Sequence, residues 1–396
     1  MQASRIIASS LALSIATLAG ASRPVVIGSC PPPECIPQTA DDQIIQQTCR
    51  VEVVFVLDTT GSMGGLIEGA KQKIWSIATT IAQAQPSPEI RMGLIGYRDR
   101  GDDYITRRTA LTEDLDAIYS DLMTFEARGG GDAPESVNQA LFEAIERFDW
   151  TEGDDTLRIV YLVGDAPPKM EYQDDVKYQA SCKLAREKGI LINTIQCGSM
   201  SATRQFWQEI AQNAGGAYAA IPQDGGVRQI ATPYDDQINQ LSTELNNLMI
   251  DYGDRRTRTA QTVKRAQAAE IADAAPTEAN ADRAAYLGTA SGKVTLYGEQ
   301  ELVVDVTDGK VKVEEIPEDH LPESLRGKSK EEIKTIIAEN KAKRDAINAR
   351  MAELVEQRRA FLREASDSTD DGFDAQVRAS IRAQAARIGL LIPEND

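Results

Sequence analysis

The chain has one histidine, His320, among 396 residues. That scarcity nearly excludes zinc sites built on imidazole and hydrolysis by a serine–histidine–aspartate triad. His320 reads as a solvated loop residue. Basic side chains are also in deficit: 43 Lys and Arg face 61 Asp and Glu, a formal charge of −18. An acidic chain is a poor phosphate-backbone binder, so nucleic acid is not expected as a partner. It suits solubility, or binding of cations and basic partners. No G-x-x-x-x-G-K-[ST] loop and no kinase signature set occurs, which argues against an ATP-driven enzyme. Aromatics make up only 5% of the chain, but 42% hydrophobic residues can build a real core. Trp75 and Trp207 read as core, and Trp150 as a boundary residue.

Beyond the N-terminus no run is long and apolar enough to span a membrane. Met1 to Ala21 reads as an export signal: Arg5 supplies the charge, Ile6 to Ala21 is apolar and small, and Ala19-Gly20-Ala21 fits the cleavage rule. A competing reading takes "IGSC" as a lipoprotein signal that anchors the chain through a lipid at Cys30. Both readings place the mature protein outside the cytoplasm: periplasmic, secreted or surface-tethered. Cysteine is sparse, at five: Cys30, Cys35, Cys49, Cys182 and Cys197. The pairs nearest in sequence are Cys35 with Cys49 and Cys182 with Cys197; the alternative is buried free thiols. Residues 22–48, with "PPPECIP" at their centre, read as a linker.

From Val51 the texture changes. Val51 to Leu57, "IRMGLIGYRD", "LRIVYLVGD", "ILINTIQCG" and "AYAAI" are apolar strands, with a hairpin-like partner at Tyr104 to Leu111. Helical spacing lies between them: Leu66, Ala70, Ile74, Ile77 and Ile81; Leu115 to Phe125; Val137 to Phe148; Asp174 to Lys188; Gln205 to Ala214. Ile238, Leu241, Leu245 and Leu248 mark a closing helix. Continuous apolar strands separated by helices predict an α/β fold, a doubly wound and mostly parallel sheet flanked by helices, over residues 49–252.

Residues 253–396 read as a C-terminal helical region. Arg255 to Ala285 is one Ala-rich helix. Short strands are expected at about 293–315, the last two turning at Asp308-Gly309. A long helix is expected at about 328–364. Ile333, Ile337, Asn340, Arg344, Ile347, Met351, Leu354, Arg358 and Phe361 follow the 4-3 spacing of a coiled-coil seam with three polar interruptions. The seam leaves two readings open: a homo-oligomer, or packing on the chain's own preceding helices. "ASDSTDDG" breaks the helix, and Phe373 to Leu390 forms a last one.

Chemistry concentrates at the predicted strand ends, where open α/β sheets bind ligands. Asp58 ends the first strand, with Thr60 and Ser62 in the next loop. Asp165 ends "YLVGD", and "GGGD", Gly129 to Asp132, precedes a helix. Carboxylates converging there would repel one another without a counter-charge. A hard divalent cation answers that problem, Mg²⁺ first, with Mn²⁺ or Ca²⁺ as alternatives. Neutral hydroxyl ligands leave such an ion electron-poor, so it seeks a carboxylate from another molecule.

"DTTGSM", "GGGDAPES" and "LVGDAPP" together resemble the metal-ion-dependent adhesion site (MIDAS) of von Willebrand factor type A domains, whose first loop reads D-x-S/T-x-S. The resemblance covers Val51 to about Tyr252. It implies Asp58, Thr60 and Ser62 as first-loop ligands and Asp165 as the third-loop aspartate, acting through water. Asp132 stands where many members carry threonine, which adds negative charge. Glu135 reads instead as a first-turn helix residue, Pro134 as that helix's start, Thr59 as a spacer and Met63 as core. "RGD", Arg100 to Asp102, is three residues in a charged loop and carries little weight. The implied activity is non-catalytic: metal-dependent protein binding, with a partner Asp or Glu completing the metal shell. The alternatives are a structural or oligomerising envelope protein with a degenerate site, or a regulatory subunit of an enzyme complex.

Overall fold

A computed structural model describes residues 49–131, 133–365 and 372–393. The export signal, the linker, Cys30, Cys35, Asp132 and the "ASDSTDDG" break lie outside the described residues, wholly or in large part. The chain order is β1 (Arg50–Asp58), α1 (Gly64–Ala82), β2 (Glu89–Tyr97), β3 (Thr106–Thr112), α2 (Leu115–Met123), α3 (Val137–Glu146), β4 (Thr156–Gly164), α4 (Tyr178–Glu187), β5 (Ile190–Cys197), α5 (Ser201–Asn213), β6 (Tyr218–Ile221) and α6 (Asp235–Asn247). There follow α7 (Arg255–Ala274), α8 (Thr277–Leu287), α9 (Lys293–Tyr297), α10 (Leu302–Thr307), α11 (Lys330–Ala365) and α12 (Phe373–Ala385). No helix among the described residues is long and apolar enough to cross a membrane.

One six-stranded sheet has the order β3-β2-β1-β4-β5-β6. All pairings are parallel except β2 with β3. β1 is central, and its residues Val51 to Asp58 are buried throughout, as a strand covered on both faces must be. Alternate residues feed two cores. Val53, Phe55 and Leu57 face α1 and α2; Val54 and Val56 face α3, α4 and α5. β1 connects to β2 on one side and borders β4 on the other. The strand order therefore reverses beside Asp58, which opens the crevice where such sheets take ligands.

The core does not stop at Tyr252. Helix α12, from the far C-terminus, packs on the face shared with α1. Phe373 meets Phe55, with ring centroids 6.1 Å apart. The Tyr161 hydroxyl lies 2.7 Å from Ser380 Oγ, and the Asn193 and Gln384 amides exchange two hydrogen bonds, at 3.0 and 2.7 Å. These buried polar pairs fix where the helix sits, because any slip would strand them without partners.

Several expectations are corrected. The strands expected at about 293–315 are helical: α9, α10 and a 3-10 turn at Val313–Glu315. Glu301 decides this locally. Its side chain accepts from Val304 N at 2.9 Å and caps α10, an arrangement unavailable to a strand. The Arg255 to Ala285 helix is two helices, because Pro276 forces Ala275 out of helical geometry. Cys182 and Cys197 are free thiols on opposite faces of the sheet, Cys182 with α4 and α5 and Cys197 with the α1 side, so they cannot pair.

The 4-3 seam of α11 packs within the chain. Ile333, Ile337, Met351 and Leu354 are buried, and so are two of the polar interruptions, Arg344 and Arg358. Arg344 makes a forked ion pair with Glu301 at 2.7 and 2.8 Å; Glu301 also accepts from Ile250 N at 2.7 Å. Arg358 donates to Asp235 at 2.6 Å and pairs with Asp282. Long-range buried guanidinium pairs of this kind favour one docking position for the helix.

Removing one partner of the Arg344–Glu301 pair leaves a buried charge uncompensated. Glu301→Leu should therefore destabilise the protein by about 3–5 kcal/mol, read as a shift in the urea midpoint. The double change Glu301→Leu with Arg344→Met should recover part of that loss.

Candidate metal site

Hydrogen bonds draw three loops together at the top of β1 and β4. The first loop, after β1, donates from Gly61 N to Gly129 O (3.1 Å), and Arg128 N returns a bond to Thr59 O (3.1 Å). The second loop then meets the third: Glu135 N donates to Pro167 O (2.9 Å) and Lys169 N to Glu135 O (2.8 Å). Gly129 and Gly130 turn the second loop with φ of +73° and +72°. A Cβ on Gly130 would lie 2.7 Å from Thr60 Cβ, so only glycine allows this approach.

Asp58 is fully buried. Its Oδ1 accepts from Thr60 N at 2.9 Å and Thr60 Oγ1 at 2.7 Å; its Oδ2 has no hydrogen-bond partner. Ser62 Oγ lies 3.4 Å from Thr60 Oγ1, at the exposed rim. Asp165 is half-buried, with Oδ2 held by Gln223 Nε2 at 2.6 Å and its backbone carbonyl by Thr203 Oγ1 at 2.6 Å. Four of the five residues expected in the site, Asp58, Thr60, Ser62 and Asp165, thus stand on converging loops. Met63 is core, and Thr59 bonds to the Tyr97 carbonyl and to the Tyr104 hydroxyl.

Two residues at the site were not legible as site residues. Glu135 lies before α3, which begins at Val137, and not in its first turn. It is 3% exposed, its Oε2 has no partner, and its Oε1 faces the Gly130–Thr60 contact. The signal available in the sequence was a second acidic side chain within "DAPES", next to a proline that precedes the helix. Tyr97, at the end of β2, is fully buried with an unpartnered hydroxyl close to Gly164, the residue before Asp165.

Electrostatics follow from burial. Desolvation raises the Asp58 carboxyl to about 7, with Asp165 adding repulsion against the Thr60 hydrogen bonds. Desolvation likewise raises Glu135 to about 8, reinforced by Asp58, Asp99, Asp102 and Asp165. Buried carboxyls that feel each other's charge and leave one oxygen each unpaired would suit a cation, since a bound positive charge would supply what the protein leaves unpaired. Among the described residues no three His, Cys, Asp or Glu side chains are arranged to hold a metal by themselves. The oxygens carried by these loops are mixed instead: Asp58 and Glu135 carboxyls with Thr60 and Ser62 hydroxyls. All-oxygen donors of this kind match Mg²⁺, Mn²⁺ or Ca²⁺ better than a soft metal.

The neighbouring acidic loop is occupied structurally. Asp99 accepts from Ser136 Oγ (2.8 Å), Lys169 Nζ (2.9 Å) and the Tyr172 hydroxyl (2.9 Å), which lowers its pKa against the opposing effect of burial. Within the "RGD" stretch, Arg100 pairs with Asp174 (2.9 Å) and Asp175 (2.6 Å) and covers the Tyr172 ring. Asp102 accepts from Gly130 N at 3.2 Å. The tripeptide braces loops.

An open doubly wound sheet with a strand-top oxygen site at the switch point defines the class. Residues 52–233 match the family model for the von Willebrand factor A domain. The chain therefore carries a von Willebrand factor A domain, a module that commonly mediates protein–protein interaction. It is 31% identical to von Willebrand factor A domain-containing protein 7 of Rattus norvegicus over 127 residues, 32% of this chain and 13% of the relative. Over 130 residues it is 31% identical to the Mus musculus protein of the same name, 33% of this chain and 13% of the relative. The chain thus spans a small part of the length of these curated relatives. Solved structures with similarity include the SpRpn10 VWA domain, at TM-score 0.35 and 16% identity over 49% of this chain and 95% of that one. Another is proximal thread matrix protein 1 from the mussel byssus with a zinc-occupied MIDAS motif, at TM-score 0.35 and 15% identity over 45% of this chain and 43% of that one.

The raised carboxyl pKa values give a signed prediction for the metal-free protein. Folded Asp58 and Glu135 hold protons that the unfolded chain releases near pH 4, so their cost to folding is absent below that pH, grows as pH rises, and levels off once the folded groups ionise at about 7 and 8. In chelator, the urea midpoint should fall between about pH 4 and about pH 8 and change little from these groups above that. Asp58→Asn should flatten that decline.

Proposed function

We propose that this protein binds a partner protein through a divalent cation held at the top of β1 and β4. The observation that carries the reading is the pair of orphaned buried oxygens, Asp58 Oδ2 and Glu135 Oε2, on converging loops that also carry the Thr60 and Ser62 hydroxyls. Asp58, Thr60, Ser62 and Glu135 would hold the ion, and Asp165, near Asp58, would act through a water. Asp132, outside the described residues, stands three positions before Glu135 in the sequence and would add acidic character.

When bound, the cation supplies a Lewis-acidic position for one more oxygen ligand. The exposed Ser62 rim leaves that position reachable by a side chain from outside. An Asp or Glu of the partner suits it, because the neutral hydroxyl donors leave the ion short of negative charge. The activity is non-catalytic: this reading needs no general base, and Asp58 sits too deep to activate a substrate water. The expected setting is outside the cytoplasm, on the strength of the Met1 to Ala21 signal.

Calorimetric titration of the full chain with Mg²⁺ and Mn²⁺ tests the reading. Saturable binding is expected, abolished by Asp58→Ala and weakened by Glu135→Gln. Equal binding by wild type and Asp58→Ala would place the ion elsewhere and refute it.

A further inference from the structure

The loop after β6 reaches the site from a direction that the three converging loops do not cover. Gln223 Nε2 donates to Asp165 Oδ2 at 2.6 Å and approaches the Ser62 carbonyl at 3.4 Å. One amide group therefore touches both the first and the third loop. Its Oε1 lies against Gly198, where a Cβ would fall 2.2 Å away, so the side chain has little room to turn over.

The loop carrying Gln223 is itself fixed. Gly225 N closes a turn on Pro222 O at 3.0 Å, and Gly226 N bonds Asp224 Oδ1 at 3.1 Å. Helix α12 holds it from below, with Phe373 N donating to Gly225 O at 2.9 Å. At the start of α1 the backbone passes so close that a Cβ on Gly65 would lie 2.7 Å from Asp224 Cα. Val227 packs in the same way over Gly69, at 2.8 Å from the position of a Cβ. An exposed glutamine rarely needs such support unless its direction matters. Here the direction sets which Asp165 oxygen is taken, Oδ2.

We infer that Gln223 is a positioning residue for the cation site: it holds Asp165 through Oδ2, so that the other oxygen faces the cradle of Asp58, Thr60 and Ser62. The inference rests on the cation reading above. Outer hydrogen-bond partners of metal-site carboxylates commonly contribute about 10–100-fold in metal affinity, because they remove the rotational freedom of the group they hold. Gln223 belongs to this chain's own β6 loop, so the C-terminal helix that clamps the loop supports the site indirectly.

The test compares Mg²⁺ titrations of full-length wild type, Gln223→Met, Gly65→Ala and Asp58→Ala, with thermal midpoints measured in chelator. Gln223→Met roughly keeps the volume and removes the amide, its Nε2 donor to Asp165 included. It should bind Mg²⁺ about 10-fold more weakly, with its midpoint in chelator unchanged. Gly65→Ala displaces the loop and should weaken binding in the same direction with Gln223 intact. A merely structural glutamine would give the opposite pattern: wild-type affinity in Gln223→Met, which overturns the inference. Retained binding in Asp58→Ala would instead overturn the cation reading on which it rests.

Discussion

The end of the central strand carries the constraint on which the rest depends. β1 delivers Asp58 into a position with no solvent, and the protein meets only one of its two oxygens with hydrogen-bond donors. A buried carboxylate left half-satisfied is costly, and its neighbour Glu135 repeats the cost a loop away. The surrounding loops are arranged around that debt: Gly129 and Gly130 bring the second loop close, Thr60 answers one oxygen, and the strand order opens a crevice above. A cation bound there would resolve the imbalance.

The C-terminal region is part of this construction. Helix α12 finishes the core under β1 and clamps the β6 loop, while α11 lies along α6 through Arg358 and along α10 through Arg344. The far end of the sequence therefore bears on the site through packing. The two arginines explain why a seam with coiled-coil spacing need not recruit a second chain: two of its three polar interruptions are matched by acids of the same chain.

The fold was legible because parallel strands buried on both faces are written as unbroken apolar runs. "VEVVFVLD" and "LRIVYLVGD" could hardly be anything else. The positions of Asp58, Thr60, Ser62 and Asp165 at or just beyond strand ends were legible because strand ends are fixed by those same runs. Glu135 was not, since its role turns on α3 starting two residues later, and helix boundaries are the least certain feature of a pattern. Gln223 is invisible for a different reason: its partner is 58 residues away, and a glutamine carries no signature. The helices at 293–307 were misread because Val-rich stretches favour strands locally, whereas Glu301 and its tertiary pairing with Arg344 hold the backbone helical.

The central claim is that a cation occupies the space between Asp58 and Glu135. Crystals grown with Mn²⁺ and measured at an anomalous wavelength would test it most directly. One strong anomalous peak is expected, bounded by the Thr60 and Ser62 hydroxyls and the Asp58 and Glu135 carboxylates. A map without density there, with the two carboxyls instead sharing a proton or an ordered water, would contradict it.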